Sequence, residues 1–271
     1  MNHKFSLIEL LIVMAILAIL SSLLSQSLST MNYKAKAIVC TQKEHSISGA
    51  MSMFANDNED RIPSSIKELT ENDVTSKWFS WDDRLFFYDG REVDAKTYGN
   101  SWVKYDQSNA DFHQLYACPM DPSYEFVNAG GNPICRRSYA VNAGKEEVNN
   151  MSKKRGVVKS LWNTDKYIEG WSMEFSQISD PSDSILLIER NDPQKFLGSS
   201  WGDTIAANEL RDGSISLNPL KHGIPYELNF AMCDGSVRFM SFSDTNGSRS
   251  DINMLDSGSN DFKETMWDCR D

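Results

Sequence analysis

The chain has 271 residues, with 38 acidic against 27 basic side chains, a net charge of −11 and a pI near 4.9. Such a surface repels phosphate backbones, and no basic block with interleaved aromatics offsets it, which argues against nucleic-acid binding. With the apolar N-terminal segment and its continuation set aside, a little over 200 residues remain, enough for one well-buried core.

The first predicted element is a helix. A short polar leader, Met1-Asn2-His3-Lys4, precedes Phe5-Ser6-Leu7-Ile8-Glu9, and an uninterrupted apolar run follows from Leu10 to Leu20, prolonged by Leu23 and Leu24. From Phe5 to Leu24 this is twenty residues without Gly or Pro, just enough to cross a bilayer as a helix. Glu9 is the anomaly. A carboxylate inside a membrane helix costs at least ~2.5 kcal/mol, so it needs a partner or an interfacial position. A conventional secretory signal places its cleavage site after the apolar core, where Ser21-Ser22 and Ser25-Gln26-Ser27 offer only a weak cut.

The string Lys4-Phe5-Ser6-Leu7-Ile8-Glu9-Leu10-Leu11-Ile12-Val13 resembles the prepilin cleavage and methylation motif of type IV pilins and type II secretion pseudopilins. The resemblance implies that a prepilin peptidase cuts between Lys4 and Phe5 on the cytoplasmic side of the membrane and N-methylates Phe5. Glu9 then becomes the fifth residue of the mature chain and an assembly residue. The freed Phe5 amine is a cation in the membrane, and Glu9 of a neighbouring subunit would neutralise it. The family usually has Gly before the cut, where this chain has Lys4; a subset of pilin-like proteins carries Lys or Arg there.

Beyond the membrane the helix is expected to continue, with Met31, Ala35, Ile38, Val39, Ala50, Met51 and Phe54 on one apolar face, interrupted at 42–46. Lys34, Lys36, Lys43 and Glu44 fall on the other face. Asn56-Asp57-Asn58-Glu59-Asp60 then reads as a solvated turn. Its alternating acids and amides suggest calcium, but it lacks the Gly and distal Glu of an EF-hand loop.

Downstream, short strand-like runs alternate with Gly, Asn, Asp and Ser clusters: 78–88, 101–105, 113–117, 137–141, 184–189 and 228–242. Few helices separate them, which predicts an antiparallel sheet. The clearest hairpin places Cys233-Asp234-Gly235-Ser236 between two strands, with Asp-Gly supplying the turn. The stretch 243–260 is polar and reads as loop. Five cysteines, at 40, 118, 135, 233 and 269, form no CxxC pair, which argues against a zinc finger. Cys118 and Cys135 flank a Pro- and Gly-rich loop and form a local candidate disulfide worth about 3 kcal/mol, with Cys40–Cys118 as the rival pairing. Trp78, Trp81, Trp162, Trp171 and Trp201 could stack on sugars, though core packing is the plainer reading.

The segment from His222-Gly223 through Cys233-Asp234-Gly235-Ser236-Val237-Arg238-Phe239 is similar to the C-terminal signature of one pilin-like subfamily, abundant in planctomycete-type bacteria. These proteins carry a prepilin-type processing-associated domain whose pattern is His, nine residues, then Asp-Gly. Here eleven residues intervene, an insertion of two that preserves strand alternation. Cys118-Pro119-Met120-Asp121, Ser138-Tyr139-Ala140-Val141-Asn142 and Asp180-Pro181-Ser182 echo further strings of that subfamily in the expected order. No catalytic role follows for His222, Asp234 and Gly235; neither GxSxG nor HExxH occurs.

Together these readings predict an α+β, pilin-like chain: leader 1–4, transmembrane helix 5–29, helical extension 30–55 and an extracytoplasmic antiparallel-sheet head 56–271. The expected function is a non-enzymatic pilin or pseudopilin subunit of a type IV filament or type II secretion apparatus, needing no cofactor or metal. Its expected partners are the prepilin peptidase, the inner membrane and sister subunits. The head would lie in the periplasm, or at the cell surface once assembled. The alternative is an uncleaved, membrane-anchored binding domain, with glycans as one ligand class.

Overall fold

The computed structural model describes residues 7–68, 77–91, 114–120, 127–129, 132–134, 137–144, 156–158, 171–190, 197–198, 204–206, 227–247, 249 and 264–269. The longest element is α1, Leu7–Asp57, a continuous helix of 51 residues. At 1.5 Å per residue it is about 77 Å long, more than twice the width of a small domain. No Pro occurs in it, and the first Gly, Gly49, comes only near its end.

Among the described side chains of α1, burial begins at Cys40 and recurs at Glu44, Ile47, Ser48, Met51, Phe54 and Ala55, the 3–4-residue spacing of one helical face. About 50 Å of helix precedes Cys40. The predicted apolar face is therefore only half right. Ala50, Met51 and Phe54 are buried, but Met31, Ala35, Ile38 and Val39 are exposed. Glu44, expected on the solvent face, is fully buried, and Lys43 is half-buried. The helix ends in a turn where Glu59 and Asp60 take positive φ. Here Asn58 Nδ2 donates to Phe54 O (2.8 Å) and Asp60 Oδ2 accepts from Ser176 N (2.8 Å). The polar cluster at 56–60 thus closes the helix and ties it to the head.

The main sheet has five strands: β5 (Tyr139–Gly144), β6 (Ile185–Glu189), β7 (Thr204–Ala206), β8 (Glu227–Met232) and β9 (Val237–Ser241). Their order is β7-β5-β6-β8-β9. Four of them form an antiparallel sheet, while β7 joins the edge parallel to β5. Two ribbons stand apart from it, β1 (Ile66–Glu68) with β2 (Lys77–Phe79), and β3 (Val127–Ala129) with β4 (Asn132–Ile134).

Both faces of the sheet are covered. Toward α1, Tyr139, Val141, Leu186, Leu187, Ala231 and Cys233 join Cys40, Ile47, Met51 and Phe54 in one core. On the far face, Ala140, Ile185, Ile188, Leu228, Phe230 and Met232 pack under Phe242, Met266 and Trp267. Strand alternation explains the sorting, and the register shift between Ile185 and Leu187 explains how Leu186 and Leu187 reach the same side. The result is helix, sheet and C-terminal cover in three layers, an α+β arrangement.

Two predicted strands are partly helical instead, 78–88 keeping strand only at its start, in β2. After β2, Trp81–Arg84 forms a short helix, α2, and residues 114–116 form a helical turn. The expected loop at 243–260 opens with a 3-10 turn, Phe242–Asn246, that buries Phe242 and Thr245. The predicted strand at 101–105 lies outside the described residues.

Candidate functional site

The first half of α1 is built from Leu, Ile, Val, Met and Ala, good helix formers with the exception of the β-branched pair. Its apolar side chains are exposed on every side: Leu7, Ile8, Leu10, Leu11, Ile12, Val13, Met14, Ile16, Leu17, Ile19, Leu20 and Leu23 each keep at least half of their surface. Glu9 stands in the first turn of this helix. A contiguous exposed apolar surface of this extent is larger than monomeric soluble proteins ordinarily carry. Among the described residues no helix is long and apolar enough to cross a membrane. The apolar side chains described without interruption run from Leu7 to Leu23, about 26 Å of helix against a ~30 Å bilayer core. Lys4 and Phe5, the expected cleavage and methylation positions, lie outside the described residues.

Where the helix enters the head it is clamped. A disulfide joins Cys40 to Cys118, with a Cα–Cα distance of 5.3 Å. Lys43 Nζ donates to Ala117 O at 2.8 Å, and Thr41 Oγ1 donates to Asn229 Oδ1 on β8 at 3.2 Å. Burial pulls the Lys43 amine below its usual pKa. The expected local pair Cys118–Cys135 is replaced by the rival pairing, because the burial of α1 brings Cys40 against the segment after Tyr116. Cys135 lies outside the described residues. The sulfurs of Cys40 and Cys118 and a carboxylate oxygen of buried Glu189 lie within 4.8 Å of one another, the one such trio of possible metal ligands among the described residues. With both sulfurs in the disulfide, neither supplies the thiolate that a metal would require.

The hairpin signature forms a tight turn between β8 and β9. Gly235 takes φ +85°, and nothing lies within 4 Å of where its Cβ would stand, so glycine serves backbone conformation rather than space. Asp234 Oδ1 accepts from Ser236 N (2.8 Å) and Ser236 Oγ (2.6 Å), an Asx turn. Asp234 N donates to Pro181 O and Cys233 N to Ser184 O, both at 2.9 Å, which anchors the turn to the segment entering β6. His222 lies outside the described residues, so a His222–Asp234 relationship does too.

A buried ionic cluster escaped the sequence reading. Asp82 is sealed in the core, with Oδ1 accepting from Arg137 Nη1 and Ser80 Oγ (2.6 Å for the latter) and Oδ2 accepting from Gly198 N (2.7 Å). Arg137 stacks over Trp81 at 5.3 Å from the ring centroid. Beside it, Arg91 Nε donates to Asp89 Oδ2 (2.7 Å), Tyr116 Oη donates to the same oxygen (2.6 Å), and Arg91 also reaches the Asp82 carbonyl. Burial pushes the Tyr116 hydroxyl well up and raises Asp89. Asp83 accepts from Ser80 N at 3.1 Å, and its pKa is raised to about 7, first by burial and then by the charge of Asp82. With both Asp82 oxygens occupied, the arrangement is a strut that fixes α2 against the 114–118 segment and β5. The signal was present in Ser80-Trp81-Asp82-Asp83, a Ser followed three residues later by an acid, the mark of a helix start.

Among tryptophans with described side chains, Trp81 and Trp267 are fully buried and Trp171 packs against the core, which favours the packing reading over sugar stacking. Compared with family models, curated proteins and solved structures, the chain matches none.

Proposed function

We propose that the chain is a pilin-like or pseudopilin subunit, held in the inner membrane by the first half of α1 and carrying an extracytoplasmic head without catalytic chemistry of its own. One observation carries the reading: a single helix of 51 residues exposes apolar side chains all round its first third and buries one face of its last third in the head. A soluble protein has no use for the first third uncovered, whereas a bilayer or a bundle of sister helices covers it without further adjustment. The sequence continues the apolar stretch to Leu24, giving twenty residues from Phe5. The prepilin peptidase would cut between Lys4 and Phe5, and Glu9 would neutralise the methylated amine of a neighbouring subunit. The disulfide at the mouth of the head fits an oxidising compartment.

The N-terminal peptide mass of protein recovered from native membranes tests this reading. The expected species begins at N-methylated Phe5. An intact Met1 or Asn2 terminus would instead favour the second reading, which Lys4 supports: an uncleaved, tethered binding domain. Quantitative recovery in the soluble fraction without detergent would overturn both.

A further inference from the structure

We propose that Cys233 and Cys269 form a second disulfide, which fastens the C-terminal segment to the β8–β9 turn. Both side chains are buried, at 6% and 0% exposure, in the same core as Cys40 and Cys118. Both come to the start of β6. Cys233 N donates to Ser184 O at 2.9 Å, while Cys269 Sγ lies 3.9 Å from Ile185 O, so the two cysteines, both free thiols in the structure, meet adjacent residues of the chain. Asn142 Nδ2 sits over the same point, reaching Ile185 O (2.8 Å), Trp267 O (3.3 Å) and Cys269 Sγ (3.7 Å).

The segment that ends at Cys269 covers the far face of the sheet. Ile185 N donates to Met266 O (2.8 Å), Met266 N donates to Thr245 O (3.1 Å), and Trp267 Nε1 donates to Thr245 Oγ1 (3.0 Å). These bonds, with the one from Asn142 Nδ2 to Trp267 O, attach it to β5, β6 and the turn after β9. A bond from Cys269 to Cys233 would close this cover on the hairpin, as the bond from Cys118 to Cys40 closes the head on α1. The two bridges would leave one cysteine of the five, Cys135, as a thiol.

The chemistry needs a disulfide oxidant, either a protein disulfide or oxidised glutathione. One cysteine thiolate attacks the oxidant and forms a mixed disulfide, releasing one oxidant thiol. The second cysteine thiolate then attacks the mixed disulfide, forming the Cys233–Cys269 bond and releasing the second thiol. Two protons leave the protein thiols and two electrons reduce the oxidant. Burial and the adjacent Cys269 hold the Cys233 thiol well above its ordinary pKa, so Cys233 is a poor nucleophile in the folded chain.

The test uses the full chain, unfolded and refolded in detergent with oxidised and reduced glutathione, quenched with acid, alkylated and digested with trypsin without reduction. Peptide 222–238 carries Cys233 alone and peptide 264–270 carries Cys269 alone. The expected product is the two joined, lighter by two hydrogens than their sum, with one titratable thiol per chain after denaturation. Cys135→Ala should keep the linked peptide and remove that thiol. Recovery of Cys233 and Cys269 both alkylated, with three thiols per chain, overturns the proposal, as does either of them linked to Cys135. Because refolding is done in a defined redox mixture, the result is independent of the compartment in which the head resides.

Discussion

Asp83 lies beside Ser80 and Asp82 in a site closed to solvent, with its carboxyl raised to about 7, by burial first and by the charge of Asp82 second. The unfolded chain would hold the same group near 3.9. Between about pH 4 and pH 7 the folded state therefore binds more protons than the unfolded state, and stability falls as pH rises through that window. Asp83→Asn keeps an oxygen for the Ser80 amide but has no proton to lose. Urea unfolding of the variant at pH 5, 6, 7 and 8 should show a flatter slope over the window than the parent. A second prediction concerns Gly235, at φ +85°. Gly235→Ala meets no steric obstacle, so its cost should be the backbone term alone, about 1–2 kcal/mol by the same unfolding assay. Asp234 and Gly235 were legible from sequence because an Asp-Gly turn is decided by the two residues themselves. Asp82 and Asp83 were not, because their partners Arg137 and Gly198 arrive from positions 55 and 116 residues away.

At the scale of elements, α1 and the β8–β9 hairpin followed from local pattern, and so did β5 and β6. The four-residue helix α2 was hidden within an aromatic-rich run that reads equally as strand, and β7 joins the sheet by a parallel pairing that needs a distant partner. The face of α1 that packs was only half legible. The apolar residues of positions 31–39 suit a core as well as those of 47–55, and only the location of the head separates them. That packing makes a prediction. Met51 is fully buried against the sheet, so Met51→Ala should cost about 2–5 kcal/mol in the head while leaving the N-terminal half of the helix unaffected, read by thermal unfolding in detergent. The Cys40–Cys118 bridge spans 78 residues, and its loss in Cys40→Ala should lower stability by roughly 2–5 kcal/mol, with loosening centred on residues 114–120 by amide hydrogen exchange.

For the whole molecule the decisive contrast is between the two ends of one helix. Glu9→Leu should leave the chain folded and inserted, because Glu9 stands about 46 Å along α1 from Cys40, the first buried residue among the described side chains. Filament or pseudopilus incorporation, followed by crosslinking between subunits in membranes, should be lost; normal incorporation would sink the assembly role given to Glu9. The sequence by itself determined the exposed apolar helix, the acid near its start and the turn of the last hairpin, since each depends on composition or on neighbours within a few residues. Only the tertiary structure decided that Cys40 meets Cys118, that Glu44 is buried, that Asp82 is held by Arg137, and that Cys233 and Cys269 come to the same end of β6. Those outcomes depend on contacts across tens to more than a hundred residues, which chain-local preferences do not encode and packing of the sheet between its helix and its C-terminal cover does.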